Sequence, residues 1–175
     1  MNSKSIILSV SVQSGCYRHL QVPMNVTLER LAEIILSAFG FDNDHGHAFF
    51  MDNKAWSKNA CYYSQGSGNA KATTKRQKLQ SLELEKGSKF KFLFDFGDEW
   101  LFQCAVLGLS EESVSEPLII KSKGEAPPQY PESCDVYEDE DNDEAACGEE
   151  SGMPAKLVPD AELLDAAFAY KETRL

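Results

Sequence analysis

Residues 89–106 read KFKFLFDFGDEWLFQCAV, and this stretch decides the fold. Phenylalanine occupies every second position from Phe90 to Phe96, and the alternation of apolar residues resumes from Trp100 to Val106. A period of two residues is typical of a β-strand with one buried face. The stretch therefore predicts two antiparallel strands joined about Gly97-Asp98.

The register of this hairpin depends on the length of its loop. A two-residue Gly-Asp turn would pair Phe96 with Glu99, whereas a three-residue loop would pair Phe96 with Trp100 and unite the two apolar faces. A shift of one residue moves every side chain to the other face of a sheet. Because burial should outweigh the turn preference, we expect the three-residue loop.

A pair of strands and a helix are predicted before this hairpin along the chain. Apolar residues alternate over residues 6–12 and again over residues 17–22, which predicts an antiparallel pair with its turn at Ser14-Gly15. Between Leu28 and Phe39 the apolar residues recur every three to four positions, which predicts an amphipathic α-helix.

Capping signals mark both ends of that helix. Thr27 is a good N-cap residue, and Gly40 can end the helix in a left-handed conformation. Short strands are expected at residues 47–51 and 118–121, with a short apolar segment at residues 79–84 returning to the core.

These elements predict an α+β fold with a mixed, largely antiparallel sheet packed on one main amphipathic helix. The length fits a single domain over residues 1–131, with a flexible glycine- and serine-rich loop about residues 64–78. An acidic mobile segment is expected over residues 132–158. Apolar residues at helical spacing then predict a short C-terminal helix over residues 159–175.

Charge is concentrated in one part of the chain. The 175 residues include 28 Asp and Glu against 17 Lys and Arg, for a formal net charge of −11. Ten of the acids lie between residues 132 and 150, which hold no Lys or Arg, so the remainder is nearly neutral. Ordering such a segment would not recover its chain entropy, which favours a solvated loop. A docking segment for a basic partner, or a loose calcium binder, is the alternative interpretation.

Composition also excludes several classes of protein. No stretch approaches the roughly 18 consecutive apolar residues of a membrane helix. The apolar run near the N-terminus is too short for a signal peptide. The five cysteines are scattered without a CxxC pair, which indicates reduced thiols. We therefore expect a cytoplasmic protein without membrane contact; the sequence does not indicate an oligomeric state.

Four motifs resemble those of a known family. They are YRHLQVP at residues 17–23, FGFDNDHGHAF at residues 39–49, FDFGDEW at residues 94–100 and KGEAPP at residues 123–128. In this order and spacing the chain resembles the family named after the third open reading frame of the pRiA plasmid, also labelled a passenger protein of an insertion element. The resemblance covers roughly residues 5 to 130.

The resemblance implies an α+β fold and an association with mobile elements, but no established activity. A resolvase label carried by some members reflects genetic neighbourhood. A recombinase needs an activated serine and a basic DNA-binding module, and this acidic chain does not favour DNA affinity. The family often has histidine two residues after the tryptophan of FDFGDEW, where this chain has Phe102. A polar site that used that histidine would be altered here.

Two overlapping sets of residues form the candidate site. Asp42, Asp44, His45 and His47 lie within six residues, and imidazole and carboxylate ligands suit zinc, manganese or iron. These four predict a divalent-metal site; alternatively they form a polar loop between helix and strand, with His47 as a hydrogen-bonded residue at the start of a strand. The wider candidate polar site comprises Arg18, His45, His47, Asp95, Asp98 and Trp100.

No residue is predicted to be catalytic. Asp95 and Asp98 are better explained as turn residues that accept backbone N–H groups than as an acid and a base. Cys104 occupies an inward strand position, where a thiol is usually inert. The lysines and arginine of residues 71–78 lack interleaved aromatics, so nucleic-acid binding is not expected.

The sequence therefore predicts a non-enzymatic interaction or accessory module without a cofactor. The sheet surface near Arg18, Asp95 and Trp100 would contact a protein partner, and the acidic segment would extend the electrostatic range of that contact. The alternative is a metal-dependent hydrolase-like site built on the cluster at residues 42–47, which would use a divalent metal as its cofactor.

Overall fold

A computed structural model describes residues 4–67 and 72–130. Seven strands form one sheet in the order β4-β3-β5-β6-β1-β2-β7, and all six strand pairings are antiparallel. In chain order the elements are β1 (Ser5–Gln13), β2 (Cys16–Pro23), α1 (Leu28–Phe39), β3 (His47–Phe50), β4 (Cys61–Tyr63), a 3-10 turn (Leu79–Ser81), β5 (Lys89–Phe94), β6 (Trp100–Ser110) and β7 (Leu118–Lys123).

The predicted α+β class, with a mixed sheet and two helices, is wrong. Strand accounts for 41% of the structure and helix for 12%, and α1 is the one α-helix of the described residues. The error has a physical cause, because α1 shows the strongest periodicity while several strands show little. Strand β4 has three residues, and β7 is exposed along its whole length, so neither alternates in burial. The predicted acidic segment and C-terminal helix lie outside the described residues.

The predicted register of the β5–β6 hairpin is wrong by two positions. Phe94 lies opposite Trp100 and Phe92 opposite Phe102, so the loop contains the five residues 95–99 instead of three. The apolar faces nevertheless meet as expected. A shift of two residues keeps every side chain on its face, so burial alone does not distinguish these two registers.

Phe96 explains which of the two registers the chain adopts. It leaves the row of phenylalanines and packs against the rings of Trp56 and Tyr63, at centroid distances of 5.7 and 6.1 Å. With Leu93 and Leu101 it belongs to a small cluster on the sheet face opposite the main core. The Phe96 ring, which the sequence pattern assigns to the main core, therefore packs in this smaller cluster.

Helix α1 is confirmed with the predicted caps. The hydroxyl oxygen of Thr27 accepts a hydrogen bond from the backbone N–H of Arg30 at 3.2 Å. Gly40 adopts φ 74°, and its N–H reaches the carbonyls of Leu36 and Ser37. The predicted pair of strands β1 and β2 is likewise present, and no helix of the described residues is long and apolar enough to cross a membrane.

The two faces of the sheet have different chemistry. The helix face carries the side chains that share one buried cluster with α1, including Val10, Leu20, Phe90 and Cys104. Neighbouring residues along each strand point to the opposite side, here called the far face. In the register of the ladders, the far face carries Ser9, Ser11, Tyr17, His19, Lys89, Lys91, Gln103, Ala105, Lys121 and Lys123.

Candidate polar site at the β5–β6 hairpin

Three segments distant in sequence meet beside the β5–β6 loop. The loop that follows α1 contributes Asp44 and His45, the hairpin contributes Asp95, and the end of the described chain contributes Tyr130. The His45 Nδ1 atom lies 2.9 Å from Asp44 Oδ1, 3.3 Å from Tyr130 Oη and 3.6 Å from Asp95 Oδ2. Tyr130 donates its hydroxyl hydrogen to the other oxygen of Asp44. We call these four residues the His45 cluster.

Gln129 fastens two of these segments together. Its Oε1 accepts the backbone N–H of Asp42 at 2.6 Å, and its Nε2 donates to the Asp42 carbonyl and to Asp44 Oδ1, both at 3.1 Å. Gln129 is buried, so these bonds are shielded from water. Sequence reasoning missed Gln129 and Tyr130, whose only signal is their position directly after the KGEAPP motif.

Charge within the cluster is balanced by hydrogen bonding. The hydrogen bond that Asp44 accepts from His45, followed by the charges of Asp95, Asp44 and Asp98, raises the pKa of His45. The hydrogen bond from Tyr130, followed by that from His45, lowers the pKa of Asp44. The hydrogen bond that Tyr130 donates to Asp44 raises the pKa of Tyr130 to about 12. Asp95 therefore lies in contact with His45, whereas Asp98 acts on it through its charge.

His47 does not join this cluster. It is buried at the start of β3, where its Nε2 lies 3.4 Å from Glu29 Oε2 in the first turn of α1. The hydroxyl of Thr74 also donates to that carboxylate. Burial lowers the pKa of His47, while the charge of Glu29 opposes the shift. His47 thus lies at a strand start, as in the alternative interpretation, but its Nε2 faces Glu29 in an ion-pair contact and makes no hydrogen bond.

Arg18 also lies away from the His45 cluster. Its guanidinium donates to the carbonyls of Ala38, Lys123 and Gly124 at 3.1, 2.9 and 3.1 Å, and it lies 4.9 Å from the ring centroid of Phe39. These contacts tie the end of α1 to the end of β7, which is a structural role.

Trp100 contacts the core and does not contact the His45 cluster directly. Its ring meets Phe41 edge to face at 4.9 Å, and it pairs across the hairpin with Phe94, whose ring is 6.2 Å from His45. The buried indole N–H has no hydrogen-bond partner. The six residues of the predicted polar site therefore do not form one site. His45 and Asp95 are in contact, with Asp98 near enough for its charge to act on His45. Arg18, His47 and Trp100 each have other partners.

The four predicted metal ligands do not form one donor set. Asp44 and His45 bond to each other and to Tyr130, whereas His47 faces Glu29. Within residues 4–67 and 72–130, no group of three or more His, Cys, Asp or Glu side chains is placed to hold a metal ion. The residues present thus do not fit the divalent metal of the hydrolase-like alternative.

The chemistry open to the His45 cluster is proton exchange and binding. An exposed imidazole with a raised pKa keeps its proton to a higher pH than an ordinary histidine does. The hydroxyl of Tyr130 is a poor nucleophile because its pKa is raised, and burial raises the pKa of the Cys104 thiol well above its ordinary value. Since its polar groups bond mainly to one another, the cluster acts first as a latch between three segments.

Fold and site together define a small antiparallel-sheet domain with one helix on one face and the His45 cluster at the tip of the β5–β6 hairpin. A model of the plasmid pRiA4b ORF-3-like protein family matches residues 6–146. The chain belongs to this family, as its four motifs predict. The match extends 16 residues past residue 130, which was the end of the resemblance inferred from the four motifs.

Two individual proteins are similar to this chain. An uncharacterized protein y4hQ from Sinorhizobium fredii (strain NBRC 101917 / NGR234) is 28% identical over 131 residues, covering 70% of this chain and 66% of its own length. The chain thus spans slightly less than two thirds of that relative. The crystal structure of MM3350, a protein of unknown function from Methanosarcina mazei Go1, aligns with a TM-score of 0.57 at 24% identity. It covers 74% of this chain and 75% of its own, which shows a shared fold.

Proposed function

We propose that this chain is a protein-interaction module, without catalytic activity, that binds an extended segment of a partner along the edge strand β7. One observation carries the proposal. Leu118, Ile119 and Ile120 are consecutive large aliphatic residues at the edge of the sheet, and their exposed fractions are 51%, 55% and 43%.

An exposed apolar edge strand is a ready template for another strand. Its outer N–H and C=O groups can pair with an added chain, and its side chains supply apolar contact. No described strand pairs with the outer side of β7, which ends the sheet order beside β2. Soluble proteins usually shield such an edge, so three unshielded aliphatic residues support a binding role.

The charge of the edge selects the chemistry of the partner. Lys121 and Lys123 follow the aliphatic residues, and their ammonium groups lie 5.8 and 6.0 Å from the centroid of the Tyr17 ring. No Asp or Glu occurs in β7 or in its neighbour β2. We therefore assign as partner an extended polypeptide strand that carries apolar and acidic residues.

This assignment changes the predicted surface. Arg18 holds the end of β7 from within, through the carbonyls of Lys123 and Gly124, and so supports the edge without facing a partner. Asp95 is buried in the hairpin, where its side chain accepts backbone hydrogen bonds. The interaction role is kept, but its location moves from the hairpin to the sheet edge.

Synthetic eight-residue peptides test the proposal. A peptide of alternating valine and glutamate should bind the full chain and shift the amide NMR signals of β7, whereas alternating valine and lysine should not. Ile119→Lys should weaken binding at least about tenfold, because it places a cation where an apolar contact forms.

Leu109→Lys is the matched control. Leu109 is an aliphatic residue of β6 with 41% exposure, and its strand lies inside the sheet order, away from β7. This variant should bind the glutamate peptide as the wild type does. Equal binding of both peptides, or an unchanged affinity in Ile119→Lys, would refute the proposal.

A further inference from the structure

We propose that the far face of the sheet binds an oxyanion, the carboxylate or phosphate group of a ligand, beside Ser11, His19 and Lys121. This site is separate from the edge contact of the proposed function. It shares Lys121 and Lys123 with that contact, but its buried polar atoms belong to Ser11 and His19 on β1 and β2, and it requires no added strand.

The far face is basic although the protein is acidic. None of the seven described strands contains Asp or Glu, while the far face carries four lysines, at positions 89, 91, 121 and 123. The whole chain has a formal net charge of −11. Such a separation of charge attracts anions to this face.

The strand register brings the proposed ligands of the oxyanion together. His19 lies directly opposite Ser9 on β1 and opposite Lys121 on β7. Ser11 is the next far-face residue along β1 and lies opposite Tyr17. Since diagonal neighbours on adjacent strands are about 7–8 Å apart, one small ion can lie within reach of both Ser11 and His19.

Two buried polar atoms in this place lack a hydrogen-bond partner. They are Ser11 Oγ and His19 Nε2, and their residues are 3% and 4% exposed. Buried polar groups are nearly always paired, so two orphans on adjacent strands need an explanation. Burial, together with the charge of Lys121, lowers the pKa of His19 to about 4, so its imidazole is neutral at pH 7 and one tautomer donates from Nε2.

The rim of the site supplies the compensating charge. The ring of Tyr17 stacks on His19 at 4.9 Å, and the ammonium groups of Lys121 and Lys123 lie over the Tyr17 ring. Both lysines are exposed and can therefore admit a ligand and close on it. An oxyanion here would accept hydrogen bonds from the hydroxyl and the imidazole and would pair with Lys121.

Lys91, on β5, is a second place on the far face where a negative charge would be stabilising. It is only 8% exposed, burial lowers its pKa, and no ion pair with a described residue offsets that burial. It lies opposite Gln103, which in turn lies opposite Ser11, at about 4.8 Å per strand. A ligand with a second anionic group would extend toward Lys91.

The test is an NMR titration of the full chain with inorganic phosphate and, separately, with acetate, each against sodium chloride of equal ionic strength. We expect a saturable shift of the His19 ring signals and the Ser11 amide with at least one of the two oxyanions. Saturation with phosphate alone assigns a phosphate ligand, and saturation with acetate alone assigns a carboxylate ligand. No saturable shift, or the same shift with chloride, overturns the proposal.

Three variants separate binding from folding. Lys121→Met and Ser11→Ala should each weaken binding of the responding ion at least about fivefold, while Lys86→Met, at an exposed lysine outside the sheet, should not. Ser11→Ala removes an unpartnered hydroxyl, so its free energy of unfolding should not fall. Equal affinity in all three variants contradicts the site. Ile119→Lys should leave ion binding intact, which distinguishes failure here from failure of the edge proposal.

Discussion

The charge of His45 determines how much the His45 cluster stabilises the fold. Its Nδ1 faces the carboxylates of Asp44 and Asp95, at 2.9 and 3.6 Å, and the pKa of the imidazole is raised. A group whose pKa is higher in the folded than in the unfolded state stabilises the fold below its unfolded pKa. That stabilisation is lost as the pH rises through the folded pKa.

We therefore expect the His45→Gln variant to be less stable than the wild type mainly in acid. The difference in free energy of unfolding should be larger at about pH 5.5 than at about pH 8.5, on either side of the ordinary histidine pKa. Urea unfolding measures it, and NMR titration of the ring gives the folded pKa directly. Because the pKa of Asp44 is lowered, its carboxylate remains charged at the acidic point. A difference that grows with pH would contradict the latch.

Among the elements, the β5–β6 hairpin depends on Asp95 for its five-residue loop. Asp95 adopts φ 55°, a left-handed conformation that Asp and Asn tolerate better than other side chains. Its Oδ1 accepts the N–H of Gly97 at 2.9 Å, and its carbonyl accepts that of Glu99 at 2.7 Å. Asp95, together with the ring contacts of Phe96, thus sets the loop length that the alternation of apolar residues leaves open.

Substitution of Asp95 separates its two roles. Asp95→Ala should lower the free energy of unfolding by about 1–3 kcal/mol, since it removes the acceptor and disfavours the positive φ. Asp95→Asn keeps both features and should cost much less, but it should lower the pKa of His45 by removing a carboxylate charge. Urea unfolding and ring titration measure these effects. Asp98→Ala, at an exposed neighbour, is the control and should change stability little; equal costs for all three would refute this role.

The sequence predicts the elements whose burial is regular along the chain. Helix α1 has an uninterrupted apolar stripe and both caps, and β1, β2, β5 and β6 alternate cleanly, so their positions are confirmed within a few residues. Strand β4 has no such pattern, because its three residues are all half-buried. Loop length in the hairpin depends on the backbone of Asp95 and on the ring contacts of Phe96, which no hydrophobic pattern encodes.

The candidate site is predictable only where its residues are neighbours in sequence. Asp44 and His45 are adjacent, so their pairing follows from the motif, but Tyr130 reaches them from 85 and 86 positions away. His45 and His47 share a motif yet have different partners, because Glu29 of α1 lies beside His47. The packing of α1 on the sheet and the position of residues 129–130 beside the loop after α1 decide which polar side chains meet.

In the molecule as a whole, the helix face of the sheet forms an aromatic core with Phe102 near its centre. Phe102 is fully buried, and its ring lies 5.3 Å from Phe39, 5.7 Å from Phe41 and 5.4 Å from Phe92. The resemblance to the family implied a histidine at this position in other members. In this chain its surroundings are apolar rings, so a polar side chain here would lose its contact with water.

Phe102→His tests whether the position retains the chemistry of a polar site. The variant should lower the free energy of unfolding by about 2–4 kcal/mol at pH 8, because it buries an imidazole among rings. The loss should increase below about pH 6.5, since burial lowers the pKa of a histidine and protonation then favours the unfolded chain. Phe102→Leu, the apolar control, should cost about 1–2 kcal/mol at both pH values. If urea unfolding shows the histidine variant to be as stable as the leucine variant, unaffected by acid, then the core around Phe102 holds a polar partner for histidine, and the aromatic packing described here does not explain the substitution.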